Sequence, residues 1–313
     1  MTTDTCDQRT SIAVYVGTYK RNEALVTVLD SVLAAATTVA DCASVAMIVI
    51  DDNPTGDARP VVDSYEGKFE RGIHYHHVGR GNISLVRNAG LEAGLALGDW
   101  VAMTDDDCEV KPDWLAALLD TAVATGADAV TGTCFLRVPP GSPAWLSEQP
   151  FFEEERIKAS DGAAMEIAAT NNSMISSAWL AAHPDVRFDP ELGVLGGEDM
   201  VFFGTARRAG LSIRFSDAAA IWGNESTSRA TFKYRMRSAF WLGNTICVTN
   251  LRLGAVRRSR LLIRGFATMA RSMIRPIRRM SQRNPAQWRF TAALLAQATG
   301  SILGAFGFRK AHH

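Results

Sequence analysis

The stretch WVAMTDDD at residues 100–107 joins an apolar run to three consecutive carboxylates. Adjacent carboxylates repel one another and each loses hydration on burial, so a strand end gains no stability from them alone. A divalent cation reverses that balance, because Mg²⁺ and Mn²⁺ prefer hard oxygen ligands. Mg²⁺ is usually held by one or two protein carboxylates together with substrate phosphates. The stretch therefore predicts a metal site for a phosphate-bearing ligand, with an acidic turn after a strand as the simpler alternative.

Short apolar runs alternate with amphipathic segments on both sides of this stretch. The alternation predicts an α/β fold with a doubly wound, mostly parallel sheet flanked by helices. In such sheets ligands bind at the carboxyl ends of strands, where Thr18, Asp51-Asp52 and the Asp triplet all fall. The predicted strands are 12–16, 45–50, 73–78, 100–103 and 129–135, and the predicted helices are 22–36 with Asn22 as N-cap, 84–96, and one opened by Pro112 and closed by Gly126.

Charge is distributed unevenly along the 313 residues. All 33 Asp and Glu lie at or before Glu225 with 16 of the 33 Lys and Arg, which gives that part a formal charge of −17. The remaining 88 residues carry 17 Lys and Arg and no acid. The sequence therefore predicts an acidic body and a C-terminal helical basic tail.

The cysteines and the N-terminus indicate a cytoplasmic protein. Five cysteines are dispersed without a CxxC pair, which is typical of free thiols in a reducing compartment. Residues 1–10 lack an apolar signal core, so we do not expect export.

Five short motifs follow one another along the chain. They are Thr18-Tyr19-Lys20-Arg21-Asn22, Asp51-Asp52-Asn53, Arg87-Asn88-Ala89-Gly90, Asp105-Asp106-Asp107 and Gly196-Gly197-Glu198-Asp199. In this order and spacing the series resembles the family 2 glycosyltransferases of the GT-A fold, over roughly residues 11–243. The resemblance implies metal-dependent transfer of a sugar from a nucleotide-sugar donor, with inversion at the anomeric carbon.

The resemblance also implies which residues bind the nucleotide. Thr18 and Tyr19 match the loop that cradles base and ribose. Asp51 or Asp52 matches the carboxylate that accepts a hydrogen bond from the imide N–H of a uracil-like base, which favours a UDP-sugar. Arg87 and Asn88 open a helix near the nucleotide, where a guanidinium could reach a phosphate or a base edge; the alternative for Arg87 is an exposed helix position.

The Asp triplet fits the DxD motif of the family. Asp105 would meet the ribose or a metal-bound water, and Asp107 would coordinate Mn²⁺ or Mg²⁺. Asp106 could share either role, because three consecutive Asp leave the register open.

Glu198-Asp199 is the predicted catalytic pair. By resemblance Asp199 is the general base that takes the proton of the acceptor hydroxyl, while Glu198 contacts the acceptor or positions the loop. The alternative is an acidic cap at a helix N-terminus. Thr170-Asn171-Asn172 resembles the segment beside the acceptor cleft, with buried structural amides as the alternative.

Two features depart from the family. Many relatives place a metal-binding His near residues 218–222, where this chain has none, so Asn224 or Glu225 is considered instead. The processive signature Gln-x-x-Arg-Trp is also missing, and Arg235 and Arg237 are considered as contacts of the leaving diphosphate. We therefore do not expect processive polymer synthesis.

Residues 251–310 predict association with an anionic membrane surface. Six arginines between 257 and 278 fall on one side of a helix and apolar residues cover the other, with Pro276 ending or kinking it. The uncharged run 290–308 is interpreted as interfacial or re-entrant, since its three glycines make a poor spanning helix. Helices docked on the body or on a partner are the alternative, and nucleic acid is not expected.

Together these features predict a glycosyltransferase domain over 1–250, with a nucleotide half at about 11–135 and an acceptor half at about 136–250, followed by membrane-associated helices at 251–313. The predicted acceptor is a lipid-linked or other glycan of the cell envelope, at the inner face of the cell membrane. A nucleotidyltransferase and an inactive membrane-associated adaptor are the alternative functions.

Overall fold

The computed structural model describes residues 9–151, 159–283 and 285–311. Residues 1–8, which include Cys6 and most of the segment examined for a signal core, lie outside the described residues. The chain forms two compact units, which are described separately. Among the described residues, the sheet unit consists of 9–134, 159–188 and 206–223. The helical unit consists of 135–151, 189–205, 224–283 and 285–311.

The sheet unit contains an eight-stranded sheet in the order β3-β2-β1-β4-β7-β6-β8-β5. The parallel pairs are β1 with β2, β1 with β4, and β2 with β3, which confirms the parallel sheet predicted from the alternation of apolar and amphipathic segments. The other strands are antiparallel: β7 to β4 and β6, and β5 to β8. Every residue of β2 is buried, as expected for an apolar strand between two parallel neighbours. The strands are β1 (Thr10–Thr18), β2 (Ala43–Asp51), β3 (Ile73–His77), β4 (Trp100–Asp105), β5 (Cys108–Val110), β6 (Ala129–Arg137), β7 (Asn172–Ser176) and β8 (Ile213–Asn224).

Helices cover this sheet and bury its core. Side chains of α1 and α4 join those of β1 and β2 in one apolar cluster, in which Trp114 is fully buried. α3 contacts β1, β2 and β4. The predicted cap of α1 is wrong: Arg21 occupies that position without a side-chain capping bond, and the Asn22 amide donates to the Asp57 carbonyl instead. The helices are α1 (Asn22–Thr38), α2 (Arg59–Asp63), α3 (Ile83–Leu97), α4 (Trp114–Thr125), α5 (Trp145–Glu148), α6 (Ser177–Ala182), α7 (Glu198–Arg208), α8 (Phe232–Arg252), α9 (Arg258–Ser281) and α10 (Trp288–Ala305).

In the helical unit, α10 packs against both α8 and α9. Glycines permit a close approach to α8, since a Cβ on Gly300 would lie 2.0 Å from the Phe240 carbonyl oxygen and one on Gly243 would lie 1.9 Å from that of Gln297. The run 290–308 therefore uses its small residues for helix packing, in agreement with the alternative of docked helices, while its contact with a membrane stays a prediction. Pro276 lies inside a continuous α9 and does not end it. Among the described residues, no helix has the length and apolarity needed to cross a bilayer.

Candidate active site

The predicted nucleotide-binding residues of the sheet unit lie at one edge of the sheet. β1 lies between β2 and β4, and the register pairs Thr18 with Asp51 and Gly17 with Asp105. The carboxyl ends of three parallel strands therefore place three of the predicted motifs side by side. This confirms the shared edge that the strand pattern predicted.

Asp106 is directed into the protein. Its side chain is 7% exposed and accepts hydrogen bonds from the Thr18 hydroxyl at 3.0 Å and from Nη1 of Arg21 at 2.8 Å. Burial raises the pKa of the Asp106 carboxyl, and the positive charge of Arg21 opposes that rise. Thr18 is likewise buried, so both side chains help to fix the loop at the end of β1.

Arg21 is a site residue to which the sequence analysis assigned no role. Its Nη1 also lies 3.1 Å from Oδ2 of Asp107, so one guanidinium pairs with two neighbouring carboxylates and offsets part of their charge. The preceding Lys20 adopts a φ of 57°, in the left-handed region that non-glycine residues seldom occupy. The available signal was its position inside the first motif, three residues after a strand end and near a cluster of acids.

Arg87 compensates Asp105. Its Nη2 lies 3.7 Å from Oδ1 of Asp105, and its guanidinium lies 5.7 Å from the ring centroid of Phe188. Arg87 is buried, so the alternative of an exposed helix position is excluded. The neighbouring Asn88 donates to the Phe188 carbonyl at 2.8 Å and accepts from the Phe188 N–H at 2.8 Å, which anchors that segment to α3.

Asp105 and Asp107 keep the more exposed carboxylates of the triplet. Their side chains are 40% and 27% exposed. No group of three or more His, Cys, Asp or Glu side chains in the described ranges is arranged to hold a metal ion by itself. Two hard carboxylates at a sheet edge do fit Mg²⁺ or Mn²⁺, because such ions commonly complete their coordination with phosphate oxygens and water. The geometry therefore favours the register in which Asp105 and Asp107 face the ligand and Asp106 faces the fold.

Asp51 and Asp52 are used extensively within the chain. Asp51 is 1% exposed and accepts from the N–H groups of Asn53 and Ala58 at 2.8 and 2.9 Å and from the Tyr75 hydroxyl at 3.0 Å. Asp52 accepts from three successive backbone N–H groups, those of Arg80, Gly81 and Asn82, at 2.7–3.0 Å. A carboxylate has about four acceptor positions. Each therefore organises a loop with three of them and retains one.

Tyr19 differs from Thr18 because it is 46% exposed at the same edge. The Lys20 ammonium lies 5.1 Å from the centroid of that ring. An exposed aromatic face beside strand-end carboxylates offers a planar base a surface for stacking. Contact of Tyr19 with a nucleotide stays a prediction.

In the helical unit, Glu198 and Asp199 form the first turn of α7. Gly196 and Gly197 precede them with φ of 84° and 85°, and a Cβ on Gly197 would lie 2.5 Å from Cγ2 of Thr245. The Trp241 indole N–H donates to the Leu195 carbonyl at 2.9 Å. Only glycine permits this backbone against α8, so the two glycines fix where α7 begins.

The two carboxylates of this turn differ in exposure. Glu198 is buried, while Asp199 is partly exposed and uses Oδ1 to accept from the Met200 N–H at 2.7 Å. A base must reach the proton that it removes. The geometry therefore agrees with Asp199 as the reacting carboxylate and Glu198 as a positioning residue.

Three other candidates serve the structure. Glu225 and Arg235, considered as a metal ligand and a diphosphate contact, form a buried ion pair at 3.3 Å. Asn172 is fully buried and binds the Trp114 indole and the carbonyls of Thr133 and Ala219, so the alternative of a structural amide holds for it.

Comparisons with other proteins agree with this architecture. Residues 13–182 match the sequence profile described as Glycosyl transferase family 2. The chain is 33% identical over 236 residues to the succinoglycan biosynthesis protein ExoM of Rhizobium meliloti, across 75% of this chain and 73% of ExoM. It is 34% identical over 153 residues to the glucosyl-dolichyl phosphate glucuronosyltransferase of Haloferax volcanii, across 46% of this chain and 42% of that protein.

Solved structures support the fold. The crystal structure of S. aureus TarS 1-349 superimposes with a TM-score of 0.54 at 15% identity, covering 95% of this chain and 92% of that one. The same fragment in complex with UDP-GlcNAc gives a TM-score of 0.53 at 17% identity, covering 93% and 90%. Against the longer TarS chain the match covers 47% of its length, so this protein spans about half of that relative.

Proposed function

The chain belongs to glycosyltransferase family 2, and from this membership we propose that it transfers a sugar from a nucleotide-sugar donor to an acceptor hydroxyl with inversion at the anomeric carbon. The observation that carries the proposal is the register of β1, β2 and β4, which gathers Thr18, Asp51 and Asp105 at one sheet edge. The alternative of a nucleotidyltransferase finds no support in the family match.

The donor nucleotide binds at this edge of the sheet unit. Tyr19 stacks on the base, and the remaining acceptor position of Asp51 or Asp52 takes the imide N–H of uracil. Arg87 holds the Asp105 carboxylate in place at 3.7 Å and adds a positive charge beside the phosphates. A crystal structure of TarS contains UDP-GlcNAc, which makes uridine donors the first to test.

Asp105 and Asp107 would hold the cofactor, Mg²⁺ or Mn²⁺. When bound there, the ion neutralises the charge that develops on the leaving diphosphate. Arg21 keeps Asp107 oriented through its 3.1 Å contact and supplies a positive charge to the pair of carboxylates. Asp106 stays inside the fold as the anchor of Arg21 and Thr18.

Asp199 acts as the general base. It accepts the proton from the acceptor hydroxyl while that oxygen forms a bond to the anomeric carbon, and the bond to the nucleoside diphosphate breaks on the opposite face. Its Oδ1 accepts from the Met200 N–H, which fixes the carboxylate in the first turn of α7. Buried Glu198 holds the first turn of α7 in position.

We further propose a glycan or lipid-linked glycan as acceptor. The support is the chemistry named in the two relatives, one in succinoglycan biosynthesis and one acting on glucosyl-dolichyl phosphate.

The test is Asp199→Asn, assayed by sugar transfer and by release of UDP from a panel of UDP-sugars. General-base catalysis typically contributes about 10²–10⁴-fold, so we expect a rate loss of that size with UDP affinity unchanged. Asp120→Asn, an exposed acid on α4, is the matched control. Wild-type turnover in Asp199→Asn would overturn the assignment of the base, and a nucleotide attached to the product would overturn the reaction class.

A further inference from the structure

α9 exposes an apolar row along its length. At about 100° per residue these side chains fall within an arc of about 120°. Each is more than half exposed, although apolar side chains of this size are normally covered. The apolar row consists of Ile263, Phe266, Met273, Ile274, Ile277 and Met280.

Another side of α9 provides the contact with α10. Leu261, Gly265 and Ser272 are the buried residues of α9, and a Cβ on Gly265 would lie 2.7 Å from Cγ1 of Ile302. These residues fall in an arc of about 40°, roughly opposite the centre of the apolar row. The packing of the helical unit therefore uses small and polar residues of α9 and leaves the larger apolar side chains outside.

A row of exposed arginines runs beside the apolar row. Arg260, Arg264, Arg271 and Arg278 occupy an arc of about 40° that begins about 40° from Ile274. The sequence from residue 226 onward contains no Asp or Glu, so no acid of this segment lies near them. The surface of α9 thus combines exposed apolar side chains with exposed positive charges.

We propose that α9 docks on an anionic phospholipid surface, lying in the plane of the interface with its apolar row in the acyl boundary. The arginine row would then contact the phosphate groups of the lipids. Charge favours the lipid surface over the α9 of a second copy. Two copies packed through this face would bring two arginine rows together, and neither C-terminal segment supplies an acid to offset them. A nucleic acid would leave the apolar row in water. The proposal is independent of the catalytic function proposed above.

The experiment is vesicle co-sedimentation of the full chain. Vesicles of phosphatidylcholine with phosphatidylglycerol are compared with pure phosphatidylcholine, at low and high salt. Binding should require phosphatidylglycerol and weaken as salt screens the arginines.

Two double variants separate the contributions of the two rows. Arg264→Gln with Arg271→Gln should weaken binding about thirty-fold, since each arginine near the surface contributes about a five-fold gain. Phe266→Ser with Ile277→Ser should weaken it more than ten-fold. The matched controls are Lys68→Gln with Arg208→Gln, two exposed cations outside α9, and Val123→Ser, an exposed apolar residue of α4.

All the altered α9 side chains are exposed, so we expect the variants to fold like the wild type. Circular dichroism and thermal unfolding check this. Failure of wild type to bind either kind of vesicle would overturn the proposal, as would equal losses in variants and controls. Light scattering tests the competing occupant: an oligomer of the wild type that dissociates in Phe266→Ser with Ile277→Ser would identify the apolar row as an interface between copies and also overturn the proposal.

Discussion

Asp51 and Asp107 lie at or just beyond the ends of β2 and β4, the two strands that flank β1, yet their partners come from different parts of the protein. Asp51 is 1% exposed and is held by two backbone N–H groups and the Tyr75 hydroxyl. Asp107 is 27% exposed and faces the guanidinium of Arg21, whose own side chain is 43% exposed. A carboxylate held by buried backbone supports the fold and keeps at most one acceptor position for a ligand, whereas one held by a solvated side chain is more accessible to a ligand. Residue type and position at the sheet edge alone do not distinguish the two.

The largest expected effect is on activity, in Asp107→Ala. Loss of this proposed metal ligand should remove several kcal/mol of transition-state stabilisation, so we expect a rate loss of about a thousandfold. Thermal unfolding should hardly change, because Arg21 keeps Asp106 as a partner. Sugar-transfer assays and calorimetry measure both quantities, with Asp120→Ala as the control. A large loss of stability would show that Asp107, like Asp51, mainly supports the fold.

Asp51→Asn should show the opposite behaviour. An amide cannot accept on both sides, so at least one buried donor loses its partner, and we expect a loss of about 3 kcal/mol in the free energy of unfolding. Urea denaturation measures this loss. Asp63→Asn, in the exposed pair with Arg59, should change stability by less than about 1 kcal/mol. Equal unfolding of Asp51→Asn and wild type would contradict the structural role.

Arg21→Gln tests the guanidinium that contacts both buried Asp106 and more exposed Asp107. It leaves buried Asp106 with the hydrogen bond from the Thr18 hydroxyl, and solvent around Arg21 limits the cost to about 1 kcal/mol at neutral pH. The cost should shrink on acidification, because Asp106 without its cation is protonated more readily. Urea denaturation at two pH values measures this, with Arg59→Gln as control. A variant as stable as wild type would mean that Arg21 contributes nothing to holding Asp106.

The smallest expected effect concerns Tyr75. Burial and the hydrogen bond to Asp51 raise the pKa of Tyr75 to about 12 from its ordinary value of 10. Between these values the unfolded chain loses the phenolic proton while the folded chain retains it, so stability falls as pH rises. Tyr75→Phe should show a shallower decline over that window in thermal unfolding. Parallel curves would mean that Tyr75 is not coupled to Asp51.

Much of the fold could be predicted, because the parallel half of the sheet has a strong local signal. The all-buried β2 is a continuous apolar run, and the helical spacing of 22–36 closely matched α1. The short antiparallel β5 and β7 escaped prediction, because they have few residues and depend on partners distant in sequence. The docking of α10 could not be predicted for the same reason, because its glycines can be interpreted only once α8 is known to pack against them.

The site was predicted as a set of positions, and the structure added partners. Spacing alone placed Asp105 to Asp107 at a strand end, but it could not show that Asp106 turns inward to Thr18 and Arg21. It also could not show that Glu225 and Arg235 neutralise each other in a buried pair. These outcomes depend on side-chain direction and on contacts between residues that are far apart in sequence.

The measurement that tests the central claim most directly is a thermal-shift panel of UDP, GDP, dTDP and CDP, each with and without Mn²⁺, on wild type, Asp107→Ala and Asp199→Asn. A ligand that binds the native state raises the melting temperature by mass action. We predict a shift by one nucleotide, with UDP favoured, that requires both Mn²⁺ and Asp107 and survives in Asp199→Asn. An equal shift in Asp107→Ala, or none with any nucleotide in wild type, would contradict a metal-dependent nucleotide site at the ends of β1, β2 and β4.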